Sequence, residues 1–144
     1  MVPILHLSIP VRDLAEARRF YSEVLGCEVA RTRDDFCDVW FYGLQLTLQD
    51  RPDEVAEVRP GVRHFGVTLD RPSFDVAVAR VESHHVDWLV PVRTDNAGEA
   101  VEQTKAKLAD PSGNVIELKS YADVTRALEH ATVAIGPAGA HPHR

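Results

Sequence analysis

The chain has 144 residues and a formal net charge of −6, and 44% of its residues are hydrophobic. That length and apolar share suit one globular domain with a core, and the acidic balance disfavours a nucleic-acid partner because no basic face is evident. No stretch approaches the roughly 20 apolar residues of a membrane span, and no signal peptide is recognisable, so a cytoplasmic protein without a membrane partner is expected.

The first half of the chain predicts one strand, one helix and three further strands. Asp13 opens the helix, Glu16 completes a capping box, and Gly26 follows the helix end. The predicted strands lie at 4–11, 28–32, 36–42 and 44–49. A charged, proline-broken stretch at 51–61 is expected to be a linker.

The same order restarts after the linker. Strands are predicted at 62–69, 88–94, 103–109 and 115–119, with helices at 72–83 and 122–130. The small-residue-rich segment 131–144 is predicted to be a disordered tail. Residues 1–130 are therefore expected to form a single domain, made of module one at 1–50, the linker, module two at 62–121 and the C-terminal helix.

The chain thus contains two copies of a βαβββ unit, which predicts an α+β fold. The segment that begins at His6 aligns with the segment that begins at His64. The segment that begins at Gly43 aligns likewise with the one that begins at Gly113. A repeat of this kind determines the overall architecture, and local motifs are interpreted within that architecture.

Alternation along the first and last strand of each module separates an apolar face from a polar one. The residues predicted to lie on the apolar face, under the helices, are Leu5, Leu7, Ile9, Leu44, Leu46, Leu48, Phe65, Val67, Leu69, Ile116 and Leu118. The residues on the polar face are His6, Ser8, Gln45, Thr47, Gln49, His64, Gly66, Thr68, Glu117 and Lys119. A solvated sheet face is one interpretation of this pattern.

Two histidines at equivalent positions of the repeat favour a metal site over a merely solvated face. His6 and His64 match in the repeat, and Glu117 is the one carboxylate on this face of those four strands. Two imidazoles and a carboxylate suit Fe²⁺, Mn²⁺, Ni²⁺ or Zn²⁺. Three protein ligands leave coordination positions open for substrate, which is typical of a catalytic ion.

At these residues the chain resembles the vicinal oxygen chelate superfamily. The resemblance covers residues 4–121 and depends on the sequence around His6, the segment beginning at Arg63, and above all the turn Asp110-Pro-Ser-Gly-Asn114 that leads into Glu117. It implies two βαβββ modules whose mixed sheet curls around a metal-centred cleft, with the helices on the outer face. Known members include extradiol dioxygenases, glyoxalase I, fosfomycin thiol transferases and metal-free antibiotic-binding proteins.

The predicted metal ligands distinguish between these members of the superfamily. The resemblance implies a fourth ligand at the position of Thr47 in glyoxalases, and a threonine there disfavours that chemistry. An intact triad argues against a metal-free binder. Extradiol dioxygenases and fosfomycin thiol transferases both use two histidines and a glutamate. The sequence therefore predicts a dioxygenase-like oxidoreductase with one divalent ion, Fe²⁺ before the other three, and leaves a thiol transferase or a non-catalytic drug-binding protein as alternatives.

Further site residues follow from the polar face and from the resemblance. Tyr121 and Lys107 are candidate catalytic groups for proton transfer. The candidate substrate-binding residues are Ser8, Thr47, Gln49, Trp40 and Arg126. The expected partners are a small-molecule substrate and a second copy of the chain, because the resemblance implies a homodimer in which some members exchange modules.

Overall fold

The computed structural model describes residues 1–57 and 61–128. The strands in this part of the chain are β1 (His6–Val11), β2 (Glu28–Thr32), β3 (Phe36–Phe41), β4 (Leu44–Asp50), β5 (Phe65–Thr68), β6 (Trp88–Asp95), β7 (Gln103–Ala109) and β8 (Val115–Tyr121). The α-helices are α1 (Leu14–Arg19), α2 (Arg71–Ser83) and α3 (Val124–Ala127). A π-helical turn, Phe20–Val24, extends α1, and a 3₁₀ turn, Pro52–Glu54, lies in the predicted linker.

The twofold repeat is confirmed, and it produces two separate four-stranded mixed sheets. The first has the strand order β1-β4-β3-β2 and the second the order β5-β8-β7-β6. In each sheet the first strand of the module pairs in parallel with the fourth, and the remaining pairs are antiparallel. Ser8 faces Thr47 across one parallel pair, and Gly66 faces Glu117 across the other. Thr47 is therefore the repeat equivalent of Glu117.

Several element boundaries differ from the predicted ones, and the differences in β1, β5 and α3 change what was predicted for individual residues. β1 begins at His6, so Leu5 lies outside the strand and is 65% exposed, and its predicted place on the buried face is wrong. β5 begins only at Phe65, which leaves His64 immediately before the strand. The predicted helix at 122–130 is confined to the single turn of α3 within the described residues; 129–130 and the predicted tail at 131–144 lie outside them.

Apolar residues of both sheets and of the helices that pack on them form one hydrophobic core. Leu46 and Leu48 of β4 are fully buried there, as are Leu108 and Ile116 of the second sheet. The ring of Phe41 packs edge-on against Phe65, with centroids 5.4 Å apart, so the contact joins the two modules. Because both apolar faces are used in this core, the polar faces of the two sheets lie on its outer sides.

The turn at 110–114 locks the two modules together. The Asp110 carboxylate is 3% exposed and accepts hydrogen bonds from the Tyr21 hydroxyl at 2.8 Å and from the backbone N–H groups of Ser112 and Asn114. The Asn114 side chain donates in turn to the Pro10 carbonyl at 3.0 Å. Burial raises the pKa of Asp110, although these hydrogen bonds oppose the shift. The turn on which the family resemblance depends therefore has a structural role, which is to connect the two modules.

None of the helices in residues 1–57 and 61–128 combines the length and the hydrophobicity that crossing a bilayer requires.

Candidate metal centre

Two of the three predicted metal ligands lie side by side on the polar face of the second sheet. Nε2 of His64 lies 2.7 Å from Oε2 of Glu117. The His64 side chain is 29% exposed and that of Glu117 is 11% exposed. The carboxylate and the imidazole thus contact each other directly, and they are two of the three side chains that the sequence predicts as metal ligands.

The third predicted ligand, His6, is held on the first sheet. Its Nδ1 lies 3.1 Å from the backbone carbonyl oxygen of Gln45, the residue opposite it on β4. A carbonyl oxygen only accepts, so Nδ1 is the nitrogen that donates in this hydrogen bond, and Nε2 takes no part in it. This is the arrangement in which a histidine binds a metal through Nε2.

One chain does not bring all three ligands together. Within residues 1–57 and 61–128, no group of three or more His, Cys, Asp or Glu side chains is arranged to hold one ion. His64 and Glu117 meet, and His6 does not join them in such a group. The chain therefore carries two parts of the predicted ligand set at separate places.

A cluster of polar side chains around Asp38 occupies the middle of the polar face of the first sheet. Asp38 is 3% exposed and accepts hydrogen bonds from Thr47 at 2.6 Å, Gln45 at 3.1 Å and Arg31 at 3.0 Å. Burial by itself would raise the pKa of Asp38, but these three donors outweigh it and the pKa is lowered. Asp38 was not among the predicted site residues, although a lone charge within the apolar run of β3 could have indicated it.

The Asp38 cluster predicts a pH-dependent stability. A carboxyl whose pKa is lowered by folding adds stability above its unfolded pKa, near 3.9, and loses it as the pH falls through the folded pKa. We expect Asp38→Asn to lower the free energy of unfolding at pH 7 by about 1–3 kcal/mol, because the donors lose a charged acceptor. The difference from wild type should shrink as the pH is lowered below about 4. Urea unfolding at pH 7, 5 and 3 measures it, and a difference that does not change with pH would contradict this account.

The other predicted site residues fall into three groups. Ser8, Gln49 and Thr47 lie with His6 on the polar face of the first sheet, where the Gln49 amide donates to Ser8 and Thr47 is bonded to Asp38. Trp40 is opposite Gln45 and so shares their face. Lys107 and Tyr121 belong to the face that carries Glu117, and Lys107 stands directly opposite it.

Arg126 lies apart from these faces. It is exposed on α3, and its backbone N–H donates to Asp123 at the start of that helix. This hydrogen bond is a helix cap and gives Arg126 no connection to His64 or Glu117.

Two of the cavities formed by residues 1–57 and 61–128 are lined by neither His64 nor Glu117. One, of about 570 Å³, is lined by Thr68, Arg71, Thr104, Ser120 and Tyr121 among others. The other, of about 420 Å³, is lined by Cys27, Trp40, Tyr42 and Arg80 among others. Burial raises the pKa of the Cys27 thiol to about 12, so it is not a nucleophile at neutral pH. His64 and Glu117 therefore lie outside both cavities, and the His64 side chain is 29% exposed.

A family model matches residues 3–118, most of the chain. The chain belongs to the glyoxalase/bleomycin resistance protein/dioxygenase superfamily. Among curated relatives of this superfamily member, a catechol-2,3-dioxygenase of Bacillus subtilis is 27% identical over 128 residues, which is 85% of this chain and 42% of that protein. The chain thus spans less than half the length of that relative.

Solved structures agree with this membership. A glyoxalase/bleomycin resistance protein/dioxygenase from Alicyclobacillus acidocaldarius is 34% identical with a TM-score of 0.79, over 86% of this chain and 95% of that one. A fosfomycin resistance protein from Listeria monocytogenes is 16% identical with a TM-score of 0.71, over 88% and 98% of the two chains. The second comparison supports the fold alone.

Proposed function

We propose that this chain is a divalent-metal-dependent, dioxygenase-like oxidoreductase whose ion is held by His64 and Glu117 of one copy and by His6 of a second copy. The observation that carries the proposal is the His64–Glu117 pair at 2.7 Å, with His6 elsewhere on the same chain, its Nδ1 in contact with the Gln45 carbonyl and its Nε2 outside that contact. A homodimer that places the first sheet of one copy over the second sheet of the other would supply the missing ligand and cover the site.

The residues present fit such an ion. Glu117 is mostly buried and provides the negative charge, while His64 and His6 provide neutral nitrogen ligands. When bound, the ion supplies a Lewis acid for adjacent oxygens of a small substrate, and redox capacity if it is Fe²⁺. Burial of Glu117 without a cation is costly, and its contact with His64 offsets that cost in the metal-free chain.

The sheet register ranks the two candidate catalytic groups. Lys107 is directly opposite Glu117, so their Cβ atoms are about 5 Å apart. Tyr121 is four residues along β8 from Glu117, which is about 13 Å at 3.3 Å per residue. We infer that Lys107 is the better placed group for proton transfer or substrate binding beside the metal.

Dioxygenase chemistry is favoured over thiol transfer by the catechol-2,3-dioxygenase relative, which the chain matches over most of its own length. The test is oxygen uptake by Fe²⁺-loaded protein supplied with catechol, compared with consumption of a thiol supplied with fosfomycin. We expect oxygen uptake that requires the metal and is lost in His64→Ala. His84→Ala is the control, because His84 is exposed and bonded to the Arg80 carbonyl.

The result that overturns the dioxygenase assignment is thiol consumption without oxygen uptake. If neither reaction occurs and the metal-free protein binds an antibiotic tightly, the result would instead indicate a drug-binding protein.

A further inference from the structure

The polar face of the second sheet is positively charged although the whole chain is acidic. Four cations lie on it, Arg93, Lys105, Lys107 and Lys119, against two carboxylates, Asp95 and Glu117, as the strand register and side-chain alternation indicate. The chain as a whole carries a net charge of −6. A local excess of positive charge in an acidic protein attracts anions to that place.

Two of the four cations share one carboxylate as an ion-pair partner. Lys105 lies 2.8 Å from Asp95, and Arg93 lies 3.3 Å from the same carboxylate. Lys107 and Lys119 differ from them: within residues 1–57 and 61–128, neither has a carboxylate within ion-pair distance. Both are half-buried.

The positions of these two lysines are unfavourable for the sheet. Lys119 stands directly opposite Lys105 on the neighbouring strand, and like charges in that relation destabilise a sheet. Lys107 stands opposite Glu117, yet Glu117 contacts His64 instead. Nζ of Lys119 lies 5.4 Å from the ring centre of Tyr121, a cation–π contact that supplies no negative charge. Positive charges that the fold leaves without a carboxylate partner are expected at a functional site.

The first module differs at the equivalent positions. There Asp38 takes the place of Lys107 and Thr47 that of Glu117, and the two are hydrogen bonded at 2.6 Å. Arg31 neutralises the Asp38 carboxylate. Since the same architecture forms around a closed polar cluster in the first sheet, the two unpaired lysines of the second sheet are not a requirement of the fold.

We propose that Lys107 and Lys119 bind an organic oxyanion, carried by a substrate whose adjacent oxygens reach the metal at His64 and Glu117. This inference rests on the proposed function for the position of the metal. The ammonium groups are compact point charges on flexible stems, which suits a carboxylate or phosphonate approached from two sides. When the ion binds Glu117, the negative charge of the substrate group also offsets the positive charges of the two lysines.

The test compares three ligands that differ in one substituent: 3,4-dihydroxybenzoate, 3,4-dihydroxybenzamide and 3,4-dihydroxyphenylphosphonate. Zn²⁺ is used as the ion because it has no redox chemistry, and each dissociation constant is measured by calorimetry. Wild type is expected to bind the acids about tenfold more tightly than the amide. Lys107→Gln and Lys119→Gln should each lose most of that preference, and the ratio between the two acids identifies which oxyanion is favoured.

Arg93→Gln is the matched control, because it removes one positive charge from the same face at a residue that is paired with Asp95. It should keep the preference for the acids. Equal affinity of wild type for acid and amide, or equal loss in all three variants, would overturn the lysine site.

Metal binding itself is tested separately, by titrating the protein with Zn²⁺ before any organic ligand is added. If Zn²⁺ does not bind, the proposed function fails, and the lysine site is decided by the same ligands on metal-free protein. Preference for the acids there supports it, and no preference overturns it.

Discussion

Glu117→Gln is expected to abolish the rise in melting temperature that a divalent ion gives the wild-type protein. Glu117 is the one anionic ligand of the proposed set and is 9% exposed. The substitution keeps the shape of the side chain and removes its charge, so two imidazoles and an amide remain to hold the ion. At a metal concentration 100 times Kd, the wild type gains roughly 2.7 kcal/mol, which raises Tm by on the order of 10 °C.

The melting temperature is followed by circular dichroism with and without added metal. Metal-free Glu117→Gln should be close to wild type in stability, because no buried charge remains to be neutralised. Glu99→Gln is the control: Glu99 is exposed, and its variant should respond to metal as the wild type does. Equal shifts in wild type and Glu117→Gln would remove Glu117 from the ligand set.

Gly66→Ala is expected to destabilise the protein by about 3 kcal/mol or more and to weaken metal binding with it. A Cβ at position 66 would overlap the carbonyl oxygen of Glu117 and lie 2.8 Å from its carbonyl carbon. These are backbone atoms of β8, so the parallel pair β5–β8 has to separate. The separation would also move His64, at the start of β5, away from Glu117.

Gly98→Ala separates this steric effect from the general cost of replacing a glycine. Gly98 has a φ of +82°, and a Cβ there meets nothing within 4 Å. Its variant should lose about 1–2 kcal/mol through backbone strain alone and keep its metal affinity. Urea unfolding and metal titration of both variants provide the comparison. A Gly66→Ala protein as stable as wild type would contradict the close approach of the two strands.

The fold was predictable from the sequence because its signals are local and repeated. Alternation along β4 and β8 identified the buried Leu46, Leu48, Ile116 and Leu118, and the repeat predicted equal topology for both modules. The wrong assignment of Leu5 arose at a strand end, where alternation continues in the sequence although strand pairing has stopped. Boundaries are set by pairing partners that a single segment does not reveal.

The site was predictable only in part. Repeat equivalence directed attention to His6 and His64, and the structure brings His64 to Glu117. Alternation within a strand assigns faces, but it does not tell how the two sheets are placed, so it did not predict the separation of His6 from His64 and Glu117. Only the resemblance, through members that exchange modules in a homodimer, allowed for such a separation. The hydrogen bond between Asp110 and Tyr21 was also not predicted, because the two residues are 89 positions apart in the chain.

Complementation between two inactive variants tests the proposed two-chain metal site most directly. His6→Ala and Glu117→Gln are each expected to bind metal weakly as homodimers, because every site in them lacks a ligand. In a mixed dimer, one site combines His6 from one copy with His64 and Glu117 from the other, and the second site lacks both ligands. Refolding equal amounts together should therefore restore about a quarter of the wild-type metal content, since half the dimers are mixed and each has one intact site. A mixture that binds no more metal than its parents, although mass spectrometry detects the mixed dimer, would contradict the account.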